Sequence, residues 1–150
     1  MLKLSPRILK LFLNFYGPYL GAGVRVRYIS PDWTEIRVSM KLHCYNRNAV
    51  GTHFGGSLYS MVDPHLMLML MQLLGEDYIV WDKAAKVEFV SPSKGTVSST
   101  ISIQKDDLEE ILHHTNSGDA YFPEFDIRVL NQNGDLVAKV RKILYVRKKK

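Results

Sequence analysis

The stretch from residue 58 to residue 74 constrains the fold of this chain more than any other part of its sequence. Few of its positions are polar, and the segment from Leu66 to Met71 is apolar all the way round a helix. Such a segment cannot form a surface helix with one dry face, so it must be buried on most sides. We predict a long central helix over residues 56–74, about 28 Å long at the usual rise per residue, with a kink at Pro64. The polar exceptions are Ser60, Asp63, His65 and Gln72.

The segments on either side of this helix alternate between apolar and polar side chains, as half-buried strands do. Between Thr34 and Leu42, for example, Ile36, Val38 and Met40 lie on one face. A curved antiparallel sheet would supply the apolar surface that the central helix needs. We therefore predict an α+β fold of about six strands, with the helix inserted after the second strand. The predicted strands cover residues 24–28, 34–42, 78–82, 85–90, 97–103, 122–130 and 136–147.

Three shorter patterns complete the predicted architecture. The segment from Asn131 to Gly134 is typical of a hairpin turn, and residues 105–114 predict a short surface helix with acidic side chains in its first turns. Residues 1–20 predict an extra amphipathic helix, because Lys10 and Asn14 interrupt the apolar run that a signal peptide would need. This helix could pack on its own domain or on a partner subunit, or it could attach to a membrane surface.

The length and composition predict one domain. The chain has 150 residues, of which 46% are hydrophobic, and it contains no repeat or linker that would divide it. We assign residues 1–150 to this domain, with the helix over 1–20, a core over 24–147 and a basic tail over 148–150. The longest strongly apolar run, residues 66–74, is too short to predict a membrane-spanning helix.

The charge of the chain is concentrated at its two ends. Residues 1–27 contain five of the 20 basic side chains and residues 139–150 contain seven, whereas all 15 acidic side chains lie between them. The body of the chain is therefore acidic although the formal net charge is +5, and we expect no nucleic-acid partner. The single cysteine, Cys44, excludes an internal disulfide and a Cys-rich zinc site. It fits a reducing compartment, so we expect a cytoplasmic protein without a bound metal.

Two segments of the chain resemble the hotdog-fold thioesterases. The segment from Asn48 to Asp63 is similar to the helix entry in the acyl-CoA members, where an Asn precedes a His-Gly-Gly turn and an acidic residue follows on the helix. Gly55-Gly56 stands in the place of that glycine pair. Residues 86–97 resemble the strand–Pro–Gly–strand passage of the same fold. The resemblance covers about residues 24–147.

The resemblance is strongest to a thioesterase-like branch of unknown function, in which Phe stands before the glycine pair, as Phe54 does here. It implies a hotdog fold, with the sheet wrapped around the central helix. It also implies a homodimer, which could pair further into a tetramer, with the sheets joined edge to edge and two sites at the interface. The implied substrate is an acyl-CoA or acyl-carrier-protein thioester, with coenzyme A as part of the substrate and no separate cofactor.

Thioester hydrolysis requires a polarised carbonyl and either an activated water or a nucleophilic carboxylate. Gly55 and Gly56 at a helix start can offer free N–H groups to an oxyanion, or they could only permit a tight turn. Desolvation would raise the pKa of Asp63, as suits a general base, although Asp63-Pro64 is also typical of a helix cap. Asn48 would orient water or the substrate carbonyl, or would only bond its own loop.

Four more residues are expected to bind the substrate. Phe54 and Ser57 flank the glycine pair, and His53 just before it could do acid–base work or be an ordinary solvated loop residue. Lys142 interrupts the apolar face of the last strand, which indicates either a bulge or an amine that faces a ligand. Basic side chains on this strand could bind the phosphates of coenzyme A, or could only protect a solvated edge.

The sequence therefore predicts an acyl thioesterase with a site shared between two subunits. Asn48 and Gly55-Gly56 would come from one subunit and, as the resemblance implies, Asp63 from the other. The alternative is a protein that binds acyl chains or lipids, has kept the fold and has lost the chemistry.

Overall fold

The computed structural model describes residues 5–149, which form an α+β domain. The predicted helix over 1–20 and the predicted tail over 148–150 both reach past this range, because residues 1–4 and residue 150 lie outside the described residues. The helices are α1 (Pro6–Phe15), α2 (Gly17–Ala22), α3 (Gly55–Ser60), α4 (His65–Leu74) and α5 (Lys105–Thr115). The strands are β1 (Val24–Ile29), β2 (Glu35–Lys41), β3 (Tyr78–Phe89), β4 (Thr96–Ser102), β5 (Ala120–Tyr121), β6 (Glu124–Asn131) and β7 (Leu136–Lys148).

The seven strands form one curved, open antiparallel sheet. Their order is β1-β2-β4-β6-β7-β3, and the short β5 pairs with β7. Within the described chain, β1 and β3 are therefore the edge strands. The α+β prediction is confirmed. One strand, β3, replaces the two predicted over 78–82 and 85–90, because a bulge between Asp82 and Ala84 interrupts the alternation without ending the pairing to β7.

The prediction of one central helix over 56–74 is wrong. The chain forms α3 and α4, separated by a turn over residues 61–64. Pro64 explains the break, because it has no N–H to donate and its ring collides with the carbonyl four residues earlier. The Asp63 N–H instead donates to the Tyr59 carbonyl at 3.1 Å, which closes the turn. No side chain caps α4, so the alternative prediction that Asp63 is a helix cap is also wrong.

The core lies between α4 and one face of the sheet. On α4 the side chains of Leu66, Met69 and Leu70 are buried, and its other apolar side chains are half-buried against the same core. The strand faces follow the predicted alternation. The buried sheet residues include Ile36, Val38, Met40, Val97, Ile101, Ile127, Val129, Val140, Leu144 and Val146.

The N-terminal segment forms two helices instead of the predicted one. The helix cannot continue past Phe15, because Pro18 has no N–H to donate to the Asn14 carbonyl. The Arg25 guanidinium donates to that carbonyl instead, at 3.0 Å. The Asn14 side chain also bonds both backbone groups of Val26, which fastens the end of α1 to β1.

The remaining local predictions are confirmed with small differences. The helix predicted over 105–114 is α5, one residue longer. The predicted hairpin joins β6 to β7, where the Asn131 N–H donates to the Asp135 carbonyl at 3.0 Å. Gly134 takes the positive φ that closes this loop, at 87°.

Candidate active site

The start of α3 opens onto a cleft of about 470 Å³, which we call the Asn48 cleft. Its walls are the loop before α3, the first turns of that helix, and the end of β3 with the residues that follow it. The cleft brings together four of the predicted site residues. Gly56 and Ser57 follow in α3 but do not line it. The lining consists of Asn48, Val50, Thr52, His53, Phe54, Gly55, Leu58, Phe89, Val90, Ser91, Pro92 and Ser93.

The Asn48 side chain holds its own loop together. Its Oδ1 accepts hydrogen bonds from the N–H groups of Val50 and Thr52, at 3.1 and 3.0 Å. Its Nδ2 donates to the Thr52 hydroxyl at 2.9 Å and to the His53 carbonyl at 3.2 Å. The structure thus agrees with the interpretation in which the Asn48 side chain bonds its own loop. A direct role for this amide in catalysis requires one of these four bonds to be exchanged for a bond to substrate or water.

Gly55 and Gly56 begin α3 where two aromatic rings approach the backbone. A Cβ on Gly55 would lie 2.8 Å from Phe89 Cζ, and one on Gly56 would lie 2.4 Å from Phe54 Cε1. An alanine at either position would therefore force the neighbouring ring to move. As the first two helical residues, the glycines have N–H groups that no helical carbonyl can accept, and neither N–H bonds to a described backbone group.

His53 is buried, so the prediction that it is a solvated loop residue is wrong. Its Nε2 lies 3.1 Å from the Gly95 carbonyl, while its Nδ1 is buried without a hydrogen-bond partner among the described residues. Burial lowers the pKa of His53 below its ordinary value, although the bond to Gly95 opposes this. The imidazole is therefore neutral at physiological pH, with Nε2 as the donor.

Asp63 belongs to a separate group of side chains around the ammonium of Lys142, which we call the Lys142 cluster. Lys142 Nζ lies 2.8 Å from Asp63 Oδ1, 2.9 Å from the Asp63 carbonyl oxygen and 2.9 Å from Asp82 Oδ1. The Tyr59 hydroxyl lies 3.4 Å from the same nitrogen. The Lys142 side chain is 0% exposed, whereas those of Asp63 and Asp82 are 42% and 27% exposed. The cation is enclosed, and its partner carboxylates face solvent.

This arrangement corrects both interpretations of Lys142. The pairing of β7 continues without a shift at Lys142, and the bulge lies on the facing strand between Asp82 and Ala84. The ammonium is surrounded by oxygens of its own chain instead of facing a ligand. In this geometry Lys142 binds the Asp63 carboxylate. A phosphate of coenzyme A in solvent cannot reach the Lys142 ammonium, because that side chain is fully buried.

The contacts of the Lys142 cluster decide its ionisation. Burial acts to raise the pKa of Asp63, but hydrogen bonds from Lys142 and Tyr59, with the lysine charge, outweigh burial and lower it. The prediction of a raised pKa for Asp63 is therefore wrong, because the sequence did not reveal its cation. Burial acts to lower the pKa of Lys142, and the bonds from Asp63 and Asp82 outweigh it and raise that pKa. For Asp82 burial prevails over Lys142 and raises the pKa. Asp63 is thus a carboxylate at neutral pH.

Within one chain the two groups remain apart, since neither Asp63 nor Lys142 lines the Asn48 cleft. Sequence reasoning missed Asp82 and Tyr59 as partners of Lys142, and Phe89 as a wall of the cleft. The unexplained lysine on an apolar face was the one signal available, because a buried ammonium requires carboxylates. It could not say which ones, as Asp63 is 79 residues away along the chain.

A second buried polar pair lies beside this cluster. His65 is fully buried, and its Nε2 lies 2.9 Å from the Tyr19 hydroxyl and 3.1 Å from the Met61 carbonyl. Its Nδ1 has no partner among the described residues. Burial is the main cause that lowers the pKa of His65 to about 4, so the ring is neutral. This pair fastens α2 to the start of α4.

Residues 5–149 contain neither a cluster of metal-binding side chains nor a helix that could span a membrane. No group of three or more His, Cys, Asp or Glu side chains in that range converges as a metal site would. None of the helices in that range is both long enough and apolar enough to cross a bilayer.

Solved structures share this fold. A Pseudomonas aeruginosa protein of unknown function, described as a probable thioesterase, superposes with a TM-score of 0.82 at 15% identity over 97% of each chain. A Haemophilus influenzae thioesterase superposes with a TM-score of 0.70 at 14% identity, over 98% of this chain and 93% of its own. A Chlorobaculum tepidum protein of unknown function superposes with a TM-score of 0.75 at 13% identity, over 97% of this chain and 98% of its own. At such identities the likeness establishes a common fold.

No curated protein matches the chain in sequence. Residues 5–146 match the family described as "Domain of unknown function (DUF4442)". This confirms the predicted resemblance to a thioesterase-like branch of unknown function, with relatives of the same fold among thioesterases. The chain therefore belongs to the DUF4442 family.

Proposed function

We propose that this protein is an acyl thioesterase on a hotdog fold, acting on an acyl-CoA or acyl-carrier-protein substrate. The observation that carries the proposal is the Asn48 cleft, where the helix-start N–H of Gly55, which has no hydrogen-bond acceptor among the described residues, lies beside an apolar wall that is open to solvent. The thioesterases that share the fold support the reaction class. The bonds within the site suggest a role for each residue.

The N–H group of Gly55, which lines the cleft, is suited to hold the oxyanion, together with that of Gly56 next to it in α3. Attack on a thioester carbonyl moves a full negative charge onto its oxygen, and preorganised N–H groups at a helix start stabilise that charge. Asn48 then acts through the loop, because its four hydrogen bonds fix the path of the chain into α3. Glycine lets the substrate approach this backbone closely.

The acyl chain would lie along the aromatic wall of the same cleft. Phe54, Phe89, Val90 and Val50 are all large apolar side chains that remain exposed around it. A cluster of exposed apolar side chains at a concave site is typical of a surface that is covered by a ligand or a partner.

The carboxylate would come from a second copy of the chain. The outer edge of β3 carries no strand among the described residues, and its end at Phe89 forms a wall of the cleft. Antiparallel pairing of two β3 strands along their full length would place Phe89 of one copy opposite Tyr78 of the other. Asp82 would then lie about four residues, or roughly 13 Å, along the interface from that cleft. Asp63 of the partner subunit, held beside its own Asp82 through Lys142, would approach the cleft from this side.

In the proposed reaction, the ionised Asp63 takes a proton from water as that water attacks the thioester carbon, and it returns the proton to the thiolate when the carbon–sulfur bond breaks. In the nucleophilic form of the reaction, Asp63 attacks the carbonyl and the carbon–sulfur bond breaks, with solvent protonating the thiolate. Water then hydrolyses the acyl–Asp63 anhydride, which releases the free acid and regenerates the carboxylate. The low pKa of Asp63 makes it a weak base that is always ionised at neutral pH. Its side chain is 42% exposed, so water or substrate can reach the carboxylate.

The direct test is turnover of an acyl-CoA panel by wild type and Asp63→Asn. We expect Asp63→Asn to lose about 100-fold or more in kcat while keeping its fold, since one general base or nucleophile contributes at least that much. Asp126→Asn is the matched control, because Asp126 forms exposed ion pairs with Arg141 and Lys139 and should keep wild-type activity. Product should be followed by chromatography or in a Cys44→Ser background, because the exposed Cys44 thiol would react with thiol reagents.

A subunit-mixing experiment tests the shared site. Asp63→Asn and Asn48→Ala are each expected to be inactive, but a mixed dimer would contain one intact site. Random reassociation of equal amounts should therefore restore about a quarter of wild-type activity. Activity equal to the mean of the two separate variants would reject the shared site. If wild type itself hydrolyses no member of the panel, the thioesterase proposal fails.

The binding protein without catalysis remains the second candidate, and two observations favour it. All four hydrogen-bonding positions of the Asn48 amide are occupied by its own loop, and the Asp63 carboxylate is held by Lys142. Fatty acid or acyl-CoA retained on the purified protein, together with no hydrolysis by wild type, would support this candidate.

A further inference from the structure

Helix α1 carries a row of large apolar side chains that stay mostly exposed, although the Phe12 ring stacks on Tyr16 with a centroid distance of 5.9 Å. Only Leu9 and Leu13 of this helix are buried against the domain. Ile8, Leu11, Phe12 and Phe15 point elsewhere, and the two Phe side chains are 60% and 72% exposed. At 3.6 residues per turn, these four side chains fall within an arc of about 100°, separate from the buried face. We call them the α1 ridge.

Two basic side chains lie on the part of α1 between the α1 ridge and the buried face, on the side of Leu11. Arg7 and Lys10 both line a groove of about 460 Å³ between α1 and the end of β1, together with Tyr28 and Ile29. No acidic residue occurs anywhere in residues 1–27. An apolar stripe with cations along one border matches a helix that lies in the interface of an anionic membrane.

We propose that the α1 ridge docks this protein on the surface of a bilayer that contains anionic lipid, with Arg7 and Lys10 beside the headgroup phosphates. The charge of α1 favours a membrane over a second copy of the chain, because two such helices face to face would bring their cations together. The α1 ridge also lies far from the proposed dimer edge. Helix α1 packs on β1, and β1 and β3 are opposite edges of the sheet.

Both parts of this surface are needed. One weak apolar anchor binds a membrane only marginally, and a stable attachment takes a second signal such as a basic cluster. The groove with Arg7 and Lys10 would provide that second signal next to the apolar one. Docking through the α1 ridge does not depend on whether the Asn48 cleft hydrolyses thioesters.

The test is cosedimentation of the full chain with two kinds of vesicle. One contains phosphatidylcholine alone, and the other contains phosphatidylcholine with about 30% phosphatidylglycerol as the anionic lipid. We expect binding to the mixed vesicles that weakens at high salt, and much weaker binding to phosphatidylcholine. Phe12→Ser with Phe15→Ser should weaken binding at least about 30-fold, because the apolar anchor is lost. Arg7→Gln with Lys10→Gln should weaken it about 25-fold at low salt, at roughly fivefold per basic residue.

Leu112→Ser on α5 is the matched control, since it also removes an exposed apolar helix residue and should bind as wild type. Unchanged binding by the Phe12→Ser, Phe15→Ser variant would overturn the proposal. A wild type that binds neither kind of vesicle would also overturn it. If the same variant then changed oligomeric state in sedimentation velocity, a second copy of the chain would be what covers the α1 ridge. All variants should show the wild-type circular dichroism spectrum, because none of the replaced side chains is buried.

Discussion

Replacing His65 with Gln should remove much of the loss of stability that this protein suffers in mild acid. The wild-type imidazole is fully buried between α2 and α4 and is neutral there. Protonating it would place a charge in the core, with Lys142 nearby opposing that charge and Asp63 favouring it. Gln keeps a nitrogen that can donate to the Met61 carbonyl, but it does not titrate.

The size of the effect follows from the two pKa values of His65. Burial lowers the pKa from its ordinary 6.5 to about 4 in the folded chain, so the unfolded chain binds more protons between these values. Stability is therefore fully present above pH 6.5 and is lost as pH falls toward 4. Linkage gives a loss of about 2.5 kcal/mol between pH 7.5 and pH 4.5, and about 3.4 kcal/mol at the limit. Asp63 contributes little to the change in stability over this pH range, because its pKa is lowered below its ordinary value.

The assay is urea unfolding of wild type and His65→Gln at pH 7.5 and pH 4.5, followed by circular dichroism. Other acidic groups affect both proteins equally, so the difference between the two losses isolates His65. We expect wild type to lose about 2.5 kcal/mol more than the variant over this interval. His113→Gln, at an exposed position on α5, should behave as wild type. Losses that agree within about 0.5 kcal/mol for wild type and His65→Gln would show that the buried imidazole does not control acid stability.

Two further substitutions test the packing of the site. Lys142→Met should lower the free energy of unfolding by about 2 kcal/mol, as measured by urea unfolding at pH 7. This loss is smaller than the loss for a fully buried ion pair, because the Asp63 carboxylate that remains is partly solvated. Gly55→Ala should cost about 1 kcal/mol and reduce any thioester hydrolysis, because the new methyl group would force the Phe89 ring, 2.8 Å away, out of place.

Each of these substitutions has a matched control. Lys139→Met removes a lysine that is paired with a carboxylate on the exposed side of the same strand, so its effect should stay within about 0.5 kcal/mol. Gly21→Ala adds a methyl group inside α2 where no atom lies within 4 Å, so it should stabilise the protein by about 0.5–1 kcal/mol. If Lys142→Met cost no more than Lys139→Met, the structural role of the Lys142 cluster would be refuted. Wild-type stability and turnover in Gly55→Ala would refute the tight approach of Phe89.

Much of the secondary structure followed from patterns a few residues long. The alternation through Ile36, Val38 and Met40 identified the buried face of β2, because successive side chains of a strand point to opposite faces. The same reasoning put Lys142 on the buried face of β7, where it lies. Gly134 marked the hairpin, because a residue without a Cβ takes a positive φ at low cost.

The sequence-based predictions were wrong or incomplete where two local signals competed. The apolar run over residues 58–74 predicted one helix, and Pro64 predicted only a kink in it. The tertiary structure resolved this competition in favour of a full break, which turns the Asp63 carboxylate toward Lys142. The sequence left open whether the apolar side chains of α1 pack on their own domain, on a partner subunit or on a membrane, because hydrophobicity alone does not distinguish a core face from a docking face. The packing of α1 on β1 buries only Leu9 and Leu13.

The sequence by itself determined the fold class, the order of most elements and the family to which the chain belongs, because these depend on periodicity, turn chemistry and motif order. Only the tertiary structure decided the state of the proposed site. It paired Asp63 with a lysine 79 residues away, reversed the expected direction of its pKa shift, and separated it from the Asn48 cleft within one chain. The physical reason is that burial and ion pairing depend on which strands and helices meet, and the topology of the whole chain decides that.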